Sequence, residues 1–246
     1  MTSHQPPLWR RAFAELLGTS LLVMIVVGSG IAAQQLSPND TGLQLLQNST
    51  ATVLGLTVLI LVLGPVSGAH FNPAVSLVDW LLGRRSRTGL SLPELGTYII
   101  AQTVGGISGS IIANAMFEVG TSISAKDRVT PGHLLGEVVA TAGLVLLIFA
   151  LAATRRGALA APAVGAYIGA AYWLTSSTSF ANPAVTVGRI FSDTFAGIAP
   201  ASVPGFVAAQ LIGAVAGLGL LLVLFPSASR TADDVVVPHA SESTSP

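Results

Sequence analysis

Six stretches of this chain, at 12–33, roughly 44–66, 95–117, 133–153, 158–179 and 203–225, are almost uninterrupted in apolar residues. Each is about 20 residues long, which is what a helix rising 1.5 Å per residue needs to cross ~30 Å of hydrocarbon. Backbone amides in lipid must be satisfied internally, so each run has to be a helix or a barrel strand. Barrel strands are shorter and alternate polar with apolar side chains, which these runs do not. Composition agrees: 51% of the 246 residues are hydrophobic and 9% are charged, with a mean hydropathy of +0.72. A soluble domain of this size would need far more charge to cover its surface. Lys+Arg and Asp+Glu balance at 11 each, so no nucleic-acid partner is implied. The absence of cysteine excludes disulfides, thiolate metal sites and cysteine nucleophiles.

Two further apolar runs, Phe71–Leu82 and Ala181–Phe191, are about a dozen residues each and reach only ~18 Å as helices. They open on the same tetrapeptide: Asn72-Pro73-Ala74-Val75 recurs as Asn182-Pro183-Ala184-Val185. The correspondence extends outwards. Glu15 lies in the first long run of one half and Glu137 in the first long run of the other. Ala101-Gln102 with Gly105 and Gly109 matches Ala209-Gln210 with Gly213 and Gly217 at equal spacing. The chain therefore reads as two copies of one unit. The first repeat is 1–117, with a half-helix at 72–82, and the second is 118–226, with a half-helix at 182–191. Three spans per repeat is an odd number, so the second copy must enter the membrane inverted. The expected fold is an all-α membrane protein with six transmembrane helices and two half-membrane helices in an inverted repeat. A signal peptide at the N-terminus, starting at Arg10 and Arg11, is the weaker reading of the first run, because that run completes the repeat.

Lys and Arg in the connections set the orientation. A cytoplasmic N-terminus places Arg10, Arg11, Arg84, Arg85, Arg87, Arg155, Arg156 and Arg230 inside and Lys126, Arg128 and Arg189 outside. Both termini are thus expected in the cytoplasm. Residues 227–246, rich in Ser, Asp and Pro, read as a disordered cytoplasmic tail.

Inversion brings the two short helices in from opposite faces, so that their N-termini meet at the midplane. Pro73 and Pro183 suit the first turn of a helix, and Asn72 and Asn182 suit its N-cap. Each N-terminus carries about half a positive charge. An Asn there can cap its own helix and still present an amide donor to a passing solute. Such a pore repels cations and protons and passes neutral hydrogen-bonding solutes. Glu15 and Glu137 have two readings: carriers of protons or ions, or structural acceptors for the unwound backbone leading into each half-helix; the symmetry favours the second. Gln102 and Gln210 are expected to bond nearby backbone. Gly165/Gly169, Gly105/Gly109 and Gly213/Gly217 allow close helix packing. His70 needs no more than a hydrogen-bonded loop role. A secondary transporter can also be built from inverted repeats, but only Glu15 and Glu137 offer ion-coupling carboxylates. The four histidines, His4, His70, His133 and His239, show no ligand-pair spacing, so neither a metal site nor an enzyme is expected. No cofactor is expected.

At these residues the chain resembles the aquaporin family, the major intrinsic proteins. The resemblance rests on Ser67-Gly68-Ala69-His70-Phe71-Asn72-Pro73-Ala74-Val75, on Phe180-Ala181-Asn182-Pro183-Ala184, and on Glu15 and Glu137, and it covers about residues 8–226. It implies passive passage of water or small neutral solutes. It also implies a homotetramer in the lipid bilayer with one pore per subunit, here in a plasma (inner) membrane. The family's narrowest point is a four-residue selectivity filter. Ungapped counting from the two motifs places it at Thr52, Ala170, Ser179 and Val185, with Gly169 one residue from the helix-five position. The family normally has arginine where this chain has Val185. Four small uncharged residues imply a wide filter that admits solutes larger than water. Arg189, seven residues after Asn182, has two readings: a source of positive potential in the outer vestibule, or a surface side chain paired with Asp193. The chain is also similar to a bacterial branch with small filter residues, often found with arsenic-resistance functions. That similarity implies neutral arsenic species among the permeants, beside glycerol or other small polyols.

Overall fold

A computed structural model describes residues 6–84 and 89–226. Arg85, Arg87, Arg230 and the 227–246 tail, which entered the orientation argument, lie outside the described residues. The chain forms α1 (Leu8–Leu36), α2 (Thr41–Ser67), α3 (Pro73–Gly83), α4 (Leu92–Met116), α5 (Pro131–Ala153), α6 (Ala160–Leu174), α7 (Pro183–Gly188) and α8 (Val203–Leu224). Short 3₁₀ turns cover Gly157–Leu159, Arg189–Phe191 and Pro200–Ser202. Among the described residues, six helices are long and apolar enough to cross a membrane, and α3 is a shorter apolar helix.

Two segments depart from the expected lengths. The fifth span was expected to run to 179, but α6 ends at Leu174. Thr175 Oγ1 donates to the Ala171 carbonyl at 2.9 Å, and Ser179 N donates to Ser177 Oγ at 3.2 Å. Such local side-chain bonds compete with helix continuation. The second short helix was expected over 182–191, but α7 has six residues, and Arg189–Phe191 tightens into a 3₁₀ turn. Its β-branched Val-Thr-Val run and Gly188 are poor helix formers.

Small residues bring the long helices together. In α4, a Cβ added at Gly105 or Gly109 would collide with the backbone of α1 at Leu16 and Ser20. In α8, Gly213 and Gly217 approach the backbone of α5 at Val138 and Ala142 in the same way. The two pairs thus share one packing mode, as a duplicated unit requires. The outward surface is apolar: Leu54, Val58 and Leu61 on α2 and Val215, Leu222 and Val223 on α8 are all exposed. That is the surface a lipid solvent selects.

Entry into α2 is set by Asp40, whose carboxylate accepts from Leu43 N at 2.9 Å. Asp40→Ala should remove about 1 kcal/mol, typical of an N-cap. A fall of ~2–4 °C in the thermal midpoint of detergent-solubilised protein is expected; an unchanged midpoint would mean that the cap contributes nothing.

Candidate functional site: a channel between two half-helices

The backbone leading into each half-helix turns sharply. Ala69 and Phe71 have φ of 49°, and Ser179 and Ala181 have φ of 49° and 47°. All four lie in the left-handed region, at the same two positions before the two asparagines, where non-glycine residues carry strain. Glu15 and Glu137 hold these turns. Glu15 accepts from His70 N at 3.0 Å, Phe71 N at 2.7 Å, Ser67 Oγ at 2.6 Å and Gln102 Nε2 at 2.7 Å. Glu137 accepts from Phe180 N at 2.9 Å, Ala181 N at 2.8 Å and Gln210 Nε2 at 2.6 Å. Both acids are fully buried, and neither lines the cavity described below. Gln102 and Gln210 do not bond backbone as expected. Each links its glutamate to a half-helix hydroxyl, Ser76 Oγ at 3.0 Å and Thr186 Oγ1 at 2.9 Å.

The asparagines cap their own helices and cross-link the two repeats. Asn72 Oδ1 accepts from Ala74 N at 2.9 Å; Asn182 Oδ1 accepts from Ala184 N at 2.9 Å and Val185 N at 3.2 Å. Asn72 Nδ2 donates to the Ala181 carbonyl, and Asn182 Nδ2 donates to the Phe71 carbonyl, both at 2.7 Å. An amide nitrogen has two protons, so one on each Asn remains for a solute. Pro73 and Pro183 occupy the first turns, and Ala74 and Ala184 are buried behind them.

A cavity of about 660 Å³, its open ends included, runs past both asparagines. Its lining is mainly apolar, with Leu22, Leu56, Ile60, Leu144, Ile148 and Ile168 among it, and its polar groups include His70, Asn72, Asn182 and Ser179. His70 Nδ1 lies 3.0 Å from Ser76 Oγ, so its ring is held against α3.

Thr52, Ser179 and Val185 line this cavity. Ala170 does not: it is exposed on the outer side of α6. Gly169 is not on the channel either; it packs against Val53 of α2. The wall instead takes Val164, Ile168 and Tyr172, at i, i+4 and i+8. Residue 170 lies about 200° around the helix from 168, so it must face away. Tyr172 is an aromatic in the place assigned to a small residue, and its hydroxyl lies 3.2 Å from Thr52 Oγ1. The helical spacing 164, 168, 172 carried this signal; a fixed count back from Asn182 bypassed it, because the count takes no account of helical phase.

Arg189 also lines the cavity. It is buried rather than on the surface, and it is not paired with Asp193. Asp193 Oδ1 accepts from Ser124 Oγ at 3.2 Å and Ala125 N at 3.0 Å. The 117–130 connection folds over this mouth. Ser124 N donates to the Ile190 carbonyl at 2.8 Å, and Ala199 N donates to the Lys126 carbonyl at 2.7 Å. Arg128 donates through Nε to the Gly197 carbonyl at 2.6 Å and through Nη2 to the Phe195 carbonyl at 2.9 Å. Burial, with Arg128 and Arg189 nearby, holds the Lys126 ammonium below the ordinary lysine range.

A long cavity between two opposed, Asn-capped helix N-termini is the arrangement of a solute channel. Residues 2–181 match the family model described as "Major intrinsic protein". The chain belongs to the major intrinsic protein family, the aquaporins. Members of this family are channels rather than enzymes. The chain is 51% identical over 216 residues to aquaglyceroporin AqpS of Rhizobium meliloti (strain 1021), covering 87% of this chain and 89% of that protein. It is 32% identical to aquaporin-2 of Rattus norvegicus, over 93% of this chain and 83% of that one. The X-ray structure of the aquaglyceroporin from Plasmodium falciparum matches the fold with a TM-score of 0.65 at 21% identity, covering 91% of this chain and 99% of that chain. As an aquaporin-family member, the protein is a multi-pass membrane channel of the passive water and glycerol type.

Proposed function

We propose that this channel conducts small neutral polyhydroxylated solutes as well as water, with glycerol and arsenous acid or methylated arsenicals as its candidate permeants. The observation that carries the reading is the filter position after Asn182-Pro183-Ala184. Val185 stands there and lines the cavity with a short apolar side chain. Thr52 and Ser179 are small as well, and Tyr172 supplies one aromatic wall. An aromatic ring with the Thr52 and Ser179 hydroxyls in the same lining suits a carbon-backed polyol or a neutral metalloid hydroxide, whose hydroxyls need hydrogen-bond partners and whose remaining surface is apolar. The likeness to an aquaglyceroporin over most of the chain supports glycerol. Arsenic species rest on their chemistry as neutral hydroxides and on the resemblance to the bacterial branch. In this reading repeats 1–117 and 118–226 each contribute one half-helix, Glu15 and Glu137 are structural, and the protein is a homotetramer. It spans the plasma membrane with both termini cytoplasmic.

Stopped-flow light scattering on proteoliposomes tests it, with gradients of water, glycerol and arsenous acid. The wild type is expected to pass all three, linearly with gradient and without saturation. Val185→Arg should cut glycerol and arsenous acid flux by about tenfold or more while sparing water, because a long cationic side chain would fill the constriction. Tyr172→Ala should raise glycerol flux relative to water. A wild type that passes water alone, or a saturable ion-coupled flux, would overturn the proposal.

A further inference from the structure

Arg189 is 3% exposed and yet lines the cavity. Its guanidinium carbon lies 3.4 Å from the centre of the Phe180 ring, and its Nε donates to the Ala196 carbonyl. The ring and the carbonyl clamp the group as a flat plate. Among the described residues, nothing accepts from its two terminal nitrogens, and neither is sealed away from solvent. They therefore open into the channel. A buried guanidinium whose donors lack acceptors is costly unless something else supplies them. No carboxylate does so, since Asp193 is engaged by Ser124 and Ala125. Arg128, 5.3 Å from the same ring, adds positive charge and donates through Nε and Nη2 to the Gly197 and Phe195 carbonyls, but does not line the cavity. Arg189 is thus, among the described residues, the cation that lines the cavity itself, with both terminal nitrogens free of acceptors. Tyr172 OH and Thr52 Oγ1, 3.2 Å apart, line the same cavity.

We infer that Arg189, one helical turn beyond Val185, is a specificity-determining residue of the channel: its terminal nitrogens donate to the hydroxyl oxygens of a neutral solute, and its unpaired charge excludes cations. The side chain reaches the channel from a later position because α7 gives way to a 3₁₀ turn at Arg189–Phe191. A planar fork of donors matches two oxygens of one molecule, which a lysine ammonium does not reproduce. The ligand class is a small uncharged molecule with two or more hydroxyl oxygens. The inference rests on the channel reading above.

The test uses proteoliposomes of the full chain with Arg189→Leu and Arg189→Lys. Proton flux is followed with a trapped pH-sensitive dye, and glycerol and water fluxes by light scattering. Arg189→Leu is expected to raise proton flux on the order of tenfold, since an unpaired charge lining the path sets an electrostatic barrier of about that size. Its glycerol-to-water ratio should shift at least about threefold, as a charge-assisted hydrogen bond is lost. Arg189→Lys should keep the proton barrier but shift the ratio. A folded Arg189→Leu channel with wild-type proton flux and ratio overturns the assignment and leaves the channel reading intact. Should the leucine variant not fold, an unchanged ratio in Arg189→Lys overturns it. A wild type that passes no neutral solute removes the channel reading and this assignment together.

Discussion

Glu137→Ala is expected to cost the channel its fold rather than merely its rate. The carboxylate accepts from Phe180 N, Ala181 N and Gln210 Nε2, all buried. Removing it strands three donors where water cannot reach them. At ~1–3 kcal/mol for each stranded donor, the loss is about 3–9 kcal/mol. The left-handed Ser179 and Ala181 would also lose the contacts that hold their strained backbone. At ~2–4 °C per kcal/mol for a chain of this size, the thermal midpoint in detergent should drop by about 6 °C or more. Glu15→Ala should behave alike, since four donors converge on that carboxylate. Glutamine at either position keeps one acceptor oxygen and should be intermediate. The same experiment separates the two readings of these acids. A Glu137→Ala protein that melts within ~2 °C of wild type and only loses an ion-coupled flux would make the acid a carrier instead.

The second large effect is expected where the second half-helix crosses α4. A Cβ added at Gly188 would lie 2.5 Å from the Gly106 carbonyl oxygen, and one added at Gly106 would lie 2.6 Å from the Ala184 carbonyl oxygen. Both obstacles are backbone, so neither can swing aside. Gly188→Leu should push α7 off α4 and carry Asn182, at the head of α7, out of line with Asn72. Overpacking of this kind costs about 1–3 kcal/mol and more when the backbone must move. Water permeability should fall to the level of empty liposomes, with Gly188→Ala partly active. Gly219→Ala is the matched control, because a Cβ there meets nothing within 4 Å. It should be neutral or slightly stabilising, since alanine favours the helix. Wild-type permeability in Gly188→Leu would show that the crossing does not position the half-helix.

Much of this architecture was legible before any coordinate. The spans can be read because lipid leaves one solution for an apolar run of about 20 residues, and six such helices stand among the described residues. The short Asn-Pro-Ala helices could be read because proline and asparagine have local reasons to stand at a helix start, and their duplication points to a common origin of the halves. For Arg189 the sequence leaves two readings open, a charge in the outer vestibule or a surface partner of Asp193, and does not show its burial against Phe180. Counting along the chain points to Ala170, whereas packing puts Tyr172 on the channel. Between that helix and Asn182 the chain unwinds from Thr175 to Ala181. A count through such a segment carries no information about which way a helix is turned.

By itself, then, the sequence determined the solvent, the number of spans, the inverted duplication and the family, because each follows from hydrophobicity, local capping chemistry or motif spacing. Only the tertiary structure decided what faces the channel. The rotation of α6 is set by Gly165 and Gly169 seating against Thr57 and Val53 of α2, which leaves Tyr172 turned inward and Ala170 outward. The path of Arg189 is set by the 3₁₀ turn after α7 and by the Phe180 ring and the Ala196 carbonyl that receive it. These are contacts between residues distant in the chain, and helical phase and side-chain direction are settled by packing, which no local pattern encodes.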